Sequence, residues 1–258
     1  MFAWERHLVG YLTLETRSFC LRNRRTGLVK RAIQRVAGLT GHVLSRREGP
    51  FPIPFDYGLA KHFLYFKRMF DLIADVPGDV VECGVYRGTT LLMLCYQARE
   101  EGSKRQIWGF DSFEGFAQPS AEDQSILPKR AGDLNAGVEP GWIFELLLRS
   151  GLDREWVLSN VSLVKGFFDE TLDKYRGDGI ALLHLDVDLY AAHKAVLTQL
   201  YERVVPGGVI LFDEYLGGLE QVNWPGAQIA IDEFLGDRGD LVPTRDQDSG
   251  KYFLRKPI

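Results

Sequence analysis

Cysteine is scarce in this chain. Cys20, Cys83 and Cys95 are the full complement, odd in number and too far apart for a CxxC pair. That argues against a disulfide framework and against a zinc site. Cys83 and Cys95 have apolar flanks, as small buried hydrophobes do in a reducing compartment, so cytoplasm is the expected location. Long apolar runs are missing as well. In the first fifty residues the apolar side chains are broken up by Arg and never form a bilayer-spanning run. The basic start also lacks the continuous apolar core and small-residue cleavage site of a signal peptide.

Acidic residues are depleted at the start. Residues 1–50 hold ten Lys and Arg against Glu5, Glu15 and Glu48, or +7, so the remainder carries −11 of the overall −4. This pattern fits a solvated helical arm packed on the domain, or on another subunit of a homo-oligomer, better than it fits nucleic acid or a membrane surface. Gly49-Pro50-Phe51-Pro52-Ile53-Pro54 cannot be helical and separates this basic helical extension, 1–50, from a main domain over 51–258. A chain of 258 residues can bury one sizeable core.

What is present is alternation. Residues 59–74 carry apolar side chains at helical spacing and stop before Pro77-Gly78. Short β runs then alternate with helices: Asp79–Cys83, a helix from Thr89, 106–110, a helix over 141–151, Val161–Lys165, a short helix near 169–175, Ile180–Leu185, a helix over 191–204, and 209–212. Val, Ile and Leu on both faces of these runs predict a Rossmann-like, doubly wound α/β sheet, mostly parallel and covered on two sides. The polar stretch 117–140 and the segment 217–228 are expected to flank one sheet edge as lid and acceptor-binding elements. Trp224 would either stack on a sugar face or pack beneath the lid.

Function should lie at the carboxyl ends of the strands. Asp111, Asp186 and Asp213 each close a predicted strand, and Gly84-Val85-Tyr86-Arg87-Gly88 turns out of the first one. Ligands of open α/β sheets bind along that edge. The pattern ExGxxxG, starting at Glu82, is not the GxGxxG of dinucleotide sites. A carboxylate at Glu82 suits an ammonium group better than a diphosphate. Asp111 is placed to accept hydrogen bonds from a ribose diol. A nucleoside with an amino-acid tail and no phosphate meets both demands, which points to S-adenosylmethionine. The plainer duties are a paired carboxylate at Glu82 and a helix cap at Asp111.

The stretch His184-Leu185-Asp186-Val187-Asp188-Leu189-Tyr190 ends an apolar run with two carboxylates. The strands ending at Asp186 and Asp213 should be neighbours, about 4.8 Å apart. Their carboxylates would repel unless bridged by a cation or neutralised by a nearby Lys or Arg. With Glu214 they form an all-oxygen set that favours Mg²⁺ over zinc or copper. Asp188 is the candidate general base for a hydroxyl made acidic by the ion, with His193 as a second candidate. His184, inside an apolar strand, reads as a core residue. Asp186-Val187-Asp188 is also the DxD triplet of metal-dependent glycosyltransferases, but that reading leaves the glycine turn and Asp111 without a task. A non-catalytic S-adenosylmethionine-binding protein is a third reading, against which Asp186, Asp188 and Asp213 stand together.

The stretches VECGVYRG, GFDSFEGF, VKGFFDETL, LDVDLY and PGGVILFDEY, spread from Leu72 to Phe234, resemble the macrocin/mycinamicin O-methyltransferase family. These are class I S-adenosylmethionine-dependent enzymes that methylate sugar hydroxyls of natural products. The resemblance implies that Gly84, Val85, Tyr86, Arg87 and Gly88 cradle the methionine portion. It also implies that Asp111, Ser112 and Phe113 surround the ribose, and that Gly166 and Phe167 lie near the adenine. It places Mg²⁺ at Asp186, Asp213 and Glu214 and favours Asp188 as base. In the family the last pair is usually two Asp, and here the second is the longer Glu214.

Overall fold

The computed structural model describes residues 56–102, 104–218 and 222–258. The helical extension expected over 1–50 and the Pro-rich connector lie outside them. Helix α1 (Tyr57–Leu72) begins where the Asp56 carboxylate accepts the Leu59 N–H at 2.8 Å. It buries Tyr65, Phe66, Met69 and Phe70, one stripe at helical spacing. Strand β1 (Asp79–Cys83) follows, then α2 (Thr89–Glu101), which is bounded by Gly88 and Gly102, both left-handed, at φ +79° and +69°. Strand β2 spans Ile107–Asp111, α3 Pro140–Arg149, α4 Arg154–Asn160, β3 Val161–Lys165 and the single turn α5 Phe168–Thr171. Strand β4 (Ile180–Leu185) leads to α6 (Tyr190–Leu200) and β5 (Val204–Phe212), then to α7 (Pro225–Gly236), β6 (Thr244–Arg245) and β7 (Tyr252–Arg255).

The sheet order is β3-β2-β1-β4-β5-β7-β6. Strands β1 to β5 pair in parallel, and β7 runs antiparallel to β5. The doubly wound prediction is therefore met. Strand β5 is longer than the sequence suggested because Pro206-Gly207-Gly208 bends within it instead of ending it. Helix α4, helix α7 and the terminal β6–β7 pair were not anticipated, since each is short or lacks clear periodicity. The polar stretch 117–140 holds only one 3-10 turn, Ala121–Asp123, before α3 starts at Pro140. Strand β4 is buried at all six positions, as a central parallel strand covered by helices on both faces must be. Order reverses between β1 and β4, so their carboxyl ends form the crevice where such sheets bind ligands. No helix among the described residues is long and apolar enough to cross a membrane.

Helix α1 is tied to the β6–β7 end by a forked ion pair. Arg68 donates from Nε and Nη2 to the two Asp246 oxygens at 2.9 and 2.7 Å. Burial works to raise the Asp246 pKa, but the Arg68 and Ser249 donors outweigh it and hold it down at about 2. The unfolded value is near 3.9. The stabilisation is therefore complete above about pH 5 and is lost as pH falls towards 2. Discounted for the partial exposure of Arg68, it is about 1–2 kcal/mol. Urea melts of Asp246→Asn should show that deficit at pH 7 and almost none at pH 2. An equal deficit at both would sink the assignment.

Candidate active site

Gly84 leaves β1 at φ +94°, and a Cβ on it would stand 1.7 Å from the Asp186 carbonyl oxygen. The first glycine turn and the end of β4 are thus in backbone contact. Asp186 N–H donates to the Cys83 carbonyl at 3.0 Å, and Asp213 N–H to the Leu185 carbonyl at 3.0 Å. The tips of β1, β4 and β5 are stitched together, as the sequence reading required of Asp186 and Asp213. Beside them opens a cavity of about 380 Å³, lined by Gly84, Tyr86, Asp111, Ser112, Phe167, Asp186 and Asp188 among others. That is within the size range of small-molecule sites.

Asp111 organises the turn. Its Oδ2 accepts the N–H groups of Val85 and Tyr86, each at 2.8 Å, and its Oδ1 accepts that of Phe113 at 2.6 Å. The end of β2 thereby pins the glycine turn and its own following loop. Tyr86 and Phe113 hold φ of 49° and 53°, a conformation side chains adopt only where the surroundings impose it. Ser112 Oγ donates to the Gly115 carbonyl at 2.7 Å and shapes the same loop. Val85 is buried and Arg87 lies 5.3 Å over the Tyr86 ring. Gly88 packs against Ile143 and Leu146. These three support the turn and do not line the cavity. Gly166 backs the Phe167 side of the cavity, with its N–H on the Asp111 carbonyl at 3.0 Å.

Glu82 departs from expectation. It is fully buried, cross-strand from His184 in the β1–β4 ladder, with Oε1 at 3.2 Å from His184 Nδ1. The period-2 alternation of β1 turns it towards the α1 side, where Phe66 packs edge-on against His184. It does not line the cavity. Burial first, then Asp186, Asp111 and Asp213, raise its pKa well above the carboxylate range. Burial also pushes His184 down to about 4. Which of the two supplies the hydrogen of this contact follows from the imidazole tautomer.

The carboxylates at the β4 and β5 ends fall into two overlapping sets. One ligand atom each from Asp186, Asp188 and Glu214 lie within 4.8 Å of one another, and so do atoms of His184, Asp186 and Asp213. Lys251 neutralises Asp213: its Nζ is 3.0 Å from Oδ2 and donates to the Asp213 carbonyl at 2.8 Å. Burial raises Asp213, but Lys251 outweighs it and the pKa is lowered. The other three are raised, by burial first and then by their carboxylate neighbours. Among the described residues no Lys or Arg ion pair reaches Asp186, Asp188 or Glu214. Glu214 Oε2 is buried without a hydrogen-bond partner.

His193, expected as a second base, is fully buried in α6. Its Nδ1–H donates to the Leu189 carbonyl at 3.1 Å, its Nε2 stands 3.4 Å from Glu214 Oε2, and burial pushes its pKa down to about 4. It backs Glu214 and does not line the cavity.

Residues 68–256 match the Macrocin-O-methyltransferase (TylF) family. The chain belongs to that family. It is 32% identical over 192 residues to the 8-demethyl-8-(2,3-dimethoxy-alpha-L-rhamnosyl)-tetracenomycin-C 4'-O-methyltransferase of Streptomyces olivaceus, covering 71% of this chain and 68% of that one. It is 30% identical over 188 residues to the mycinamicin III 3''-O-methyltransferase of Micromonospora griseorubida, covering 70% and 69%. The crystal structure of the calicheamicin methyltransferase CalS11 matches with a TM-score of 0.66 at 27% identity, over 86% of this chain and 90% of that one. The apo structure of CalS11, a TDP-rhamnose 3'-O-methyltransferase, matches with a TM-score of 0.60 at 27% identity, over 85% and 90%.

This member of the macrocin family is therefore an S-adenosylmethionine-dependent O-methyltransferase, and the glycosyltransferase reading of the DxD triplet falls away. Phe116, Gln118, Leu134, Phe168 and Asp169 also line the cavity and escaped the sequence reading. Asp169 was accessible in principle, because it follows Gly166-Phe167 at the same sheet edge. So was Phe168, which opens α5 between them. Phe116, Gln118 and Leu134 lie in the irregular 112–139 segment, where no periodicity marks an inward face. Trp224 sits with Lys129 Nζ 4.3 Å over its ring and Phe116 edge-on at 5.8 Å. It packs beneath the covering segment, the second of its two expected roles.

Proposed function

We propose that this methyltransferase moves the methyl group of S-adenosylmethionine to a sugar hydroxyl on a natural product or its activated sugar precursor, with a divalent cation, Mg²⁺, bound beside the donor. The carrying observation is the trio Asp186, Asp188 and Glu214, mutually within 4.8 Å at the edge of the cavity and free of any Lys or Arg ion pair among the described residues. Its donors are all oxygens, and Glu214 Oε2, 3.4 Å from His193 Nε2, is buried without a hydrogen bond. Asp186 and Glu214 would hold the ion, with Asp213 kept beside them by Lys251. Once bound, such an ion polarises a substrate hydroxyl as a Lewis acid.

The chain's own groups do the rest. The turn from Gly84 to Gly88, anchored by Asp111, holds the donor's methionine portion. Asp111 and Ser112 face the ribose and Gly166-Phe167 the adenine. Phe113, expected beside the ribose, is buried in the core behind them and does not line the cavity. Asp188, half-buried and lining the same cavity, takes the hydroxyl proton as the oxygen–methyl bond forms and the sulfur–methyl bond breaks. Burial, and then Asp213, push its pKa up to about 7, where a base both accepts and returns protons readily. The relatives named as rhamnosyl and mycinamicin O-methyltransferases support a sugar acceptor.

The test combines calorimetry and turnover. S-adenosylhomocysteine should bind with or without EDTA, and methyl transfer to TDP-rhamnose should stop in EDTA and return with Mg²⁺. Asp186→Asn should lose Mg²⁺ binding while keeping S-adenosylhomocysteine affinity within about threefold, since the turn and the ion site use different side chains. Undiminished turnover in EDTA would remove the cation from this reading.

A further inference from the structure

Two segments flanking the cavity meet the Asp188 turn at one buried carboxylate, Asp123. It closes the 3-10 turn Ala121–Asp123 and is 5% exposed. Its Oδ2 stays within its own segment, accepting from Ser120 N–H at 2.8 Å and Ser120 Oγ at 3.0 Å. Its Oδ1 reaches outward and accepts the backbone N–H of Tyr190 at 2.8 Å.

Tyr190 opens α6, two residues after Asp188. The local cap position, Leu189, has no side chain able to satisfy the first turn. Asp123 supplies that cap from a distant part of the chain. The third party is Gly226, in the first turn of α7. A Cβ there would lie 2.0 Å from Asp123 Oδ1 and 2.9 Å from Tyr190 Cβ, so the absent side chain is what admits the carboxylate.

The turn that Asp123 caps needs support. Asp188 holds φ +60° and Leu189 N–H bonds back to the Val187 carbonyl at 2.6 Å. Such geometry persists only where its surroundings over-determine it. The covering segment meets the start of α7 twice more, through the Phe116 and Lys129 contacts to Trp224. We propose that Asp123 is a positioning residue, whose carboxylate locks the Asp188 turn to the 112–139 segment and to α7, giving base and cover one fixed relation. This rests on the reading of Asp188 as proton acceptor.

The experiment compares Asp123→Ala, Asp123→Asn and Gly226→Ala in the full chain, with Mg²⁺, S-adenosylmethionine and TDP-rhamnose. Asp123→Ala and Gly226→Ala should lower kcat by roughly 10–100-fold, the cost of misplacing a catalytic group by an ångström or less. S-adenosylhomocysteine affinity should stay within about threefold, because no donor-side residue touches Asp123. Asp123→Asn should lose less kcat than Asp123→Ala, because its amide oxygen can still accept from Tyr190, although its NH2 then faces the Ser120 N–H that the carboxylate accepts. In Asp123→Ala, hydrogen exchange in a peptide covering 187–190 should quicken at least about tenfold while β4 keeps its protection. A kcat for Asp123→Ala within about threefold of the parent overturns the proposal. So does exchange that quickens equally in β4, which marks general destabilisation. If the parent enzyme transfers no methyl group to TDP-rhamnose, the acceptor reading fails, and unchanged exchange over 187–190 still overturns the role of Asp123.

Discussion

Asp188→Asn is expected to lower kcat by about 10²–10⁴-fold, or roughly 3–5 kcal/mol of transition-state stabilisation, with little change in donor affinity. Asn fills the same volume and tolerates the left-handed φ of +60° at this position, so the turn should survive. What disappears is the ability to take a proton. The substitution also removes one of four crowded carboxylates, so the melting temperature should hold or rise. Donor affinity should stay within about threefold, since the glycine turn is anchored by Asp111 through separate hydrogen bonds. Steady-state methyl transfer and S-adenosylhomocysteine titration measure the two halves. Unimpaired turnover would strip Asp188 of its role.

Gly84→Ala should be the most damaging single methyl group among the described glycines. The added Cβ would enter within 1.7 Å of the Asp186 carbonyl oxygen and 2.7 Å of its carbon, and both are backbone. No side-chain rotation relieves that clash. The residue also sits at φ +94°, where an L side chain is strained. Either the β1 and β4 tips separate or the turn refolds, and each breaks the hydrogen bonds from Gly84 to Phe110 and from Asp186 to Cys83. A loss on the order of 4–5 kcal/mol is expected, at the extreme for a single substitution, and donor binding should go with it. Denaturant unfolding and calorimetry check both. An alanine variant within about 1 kcal/mol of the parent that still binds S-adenosylhomocysteine would show that the tips are not locked as described.

Much of this was legible in order along the chain. Val- and Ile-rich runs ending on Asp111, Asp186 and Asp213 announced a parallel sheet with its chemistry at one edge, because burial on both faces leaves an unmistakable composition. Strands β1, β3 and β4 fell at their predicted bounds for the same reason. Five motifs in sequence order were enough to indicate the family, and residues 68–256 bear it out.

Other features depended on distance in space. The inward turn of Glu82 and its pairing with His184 follow from the β1–β4 register, which no local pattern encodes. Lys251 reaches Asp213 because β7 folds back antiparallel on β5. His193 was drawn from the cleft into the core by the packing of α6, and Asp123 found Tyr190 across 67 positions. By itself the sequence determined the strands, the edge where they end, and the residue types gathered there. Only the tertiary structure decided which charges are neutralised, which are buried without partners and which face the cavity, because those outcomes depend on dielectric and contact set by chain segments that meet only on folding.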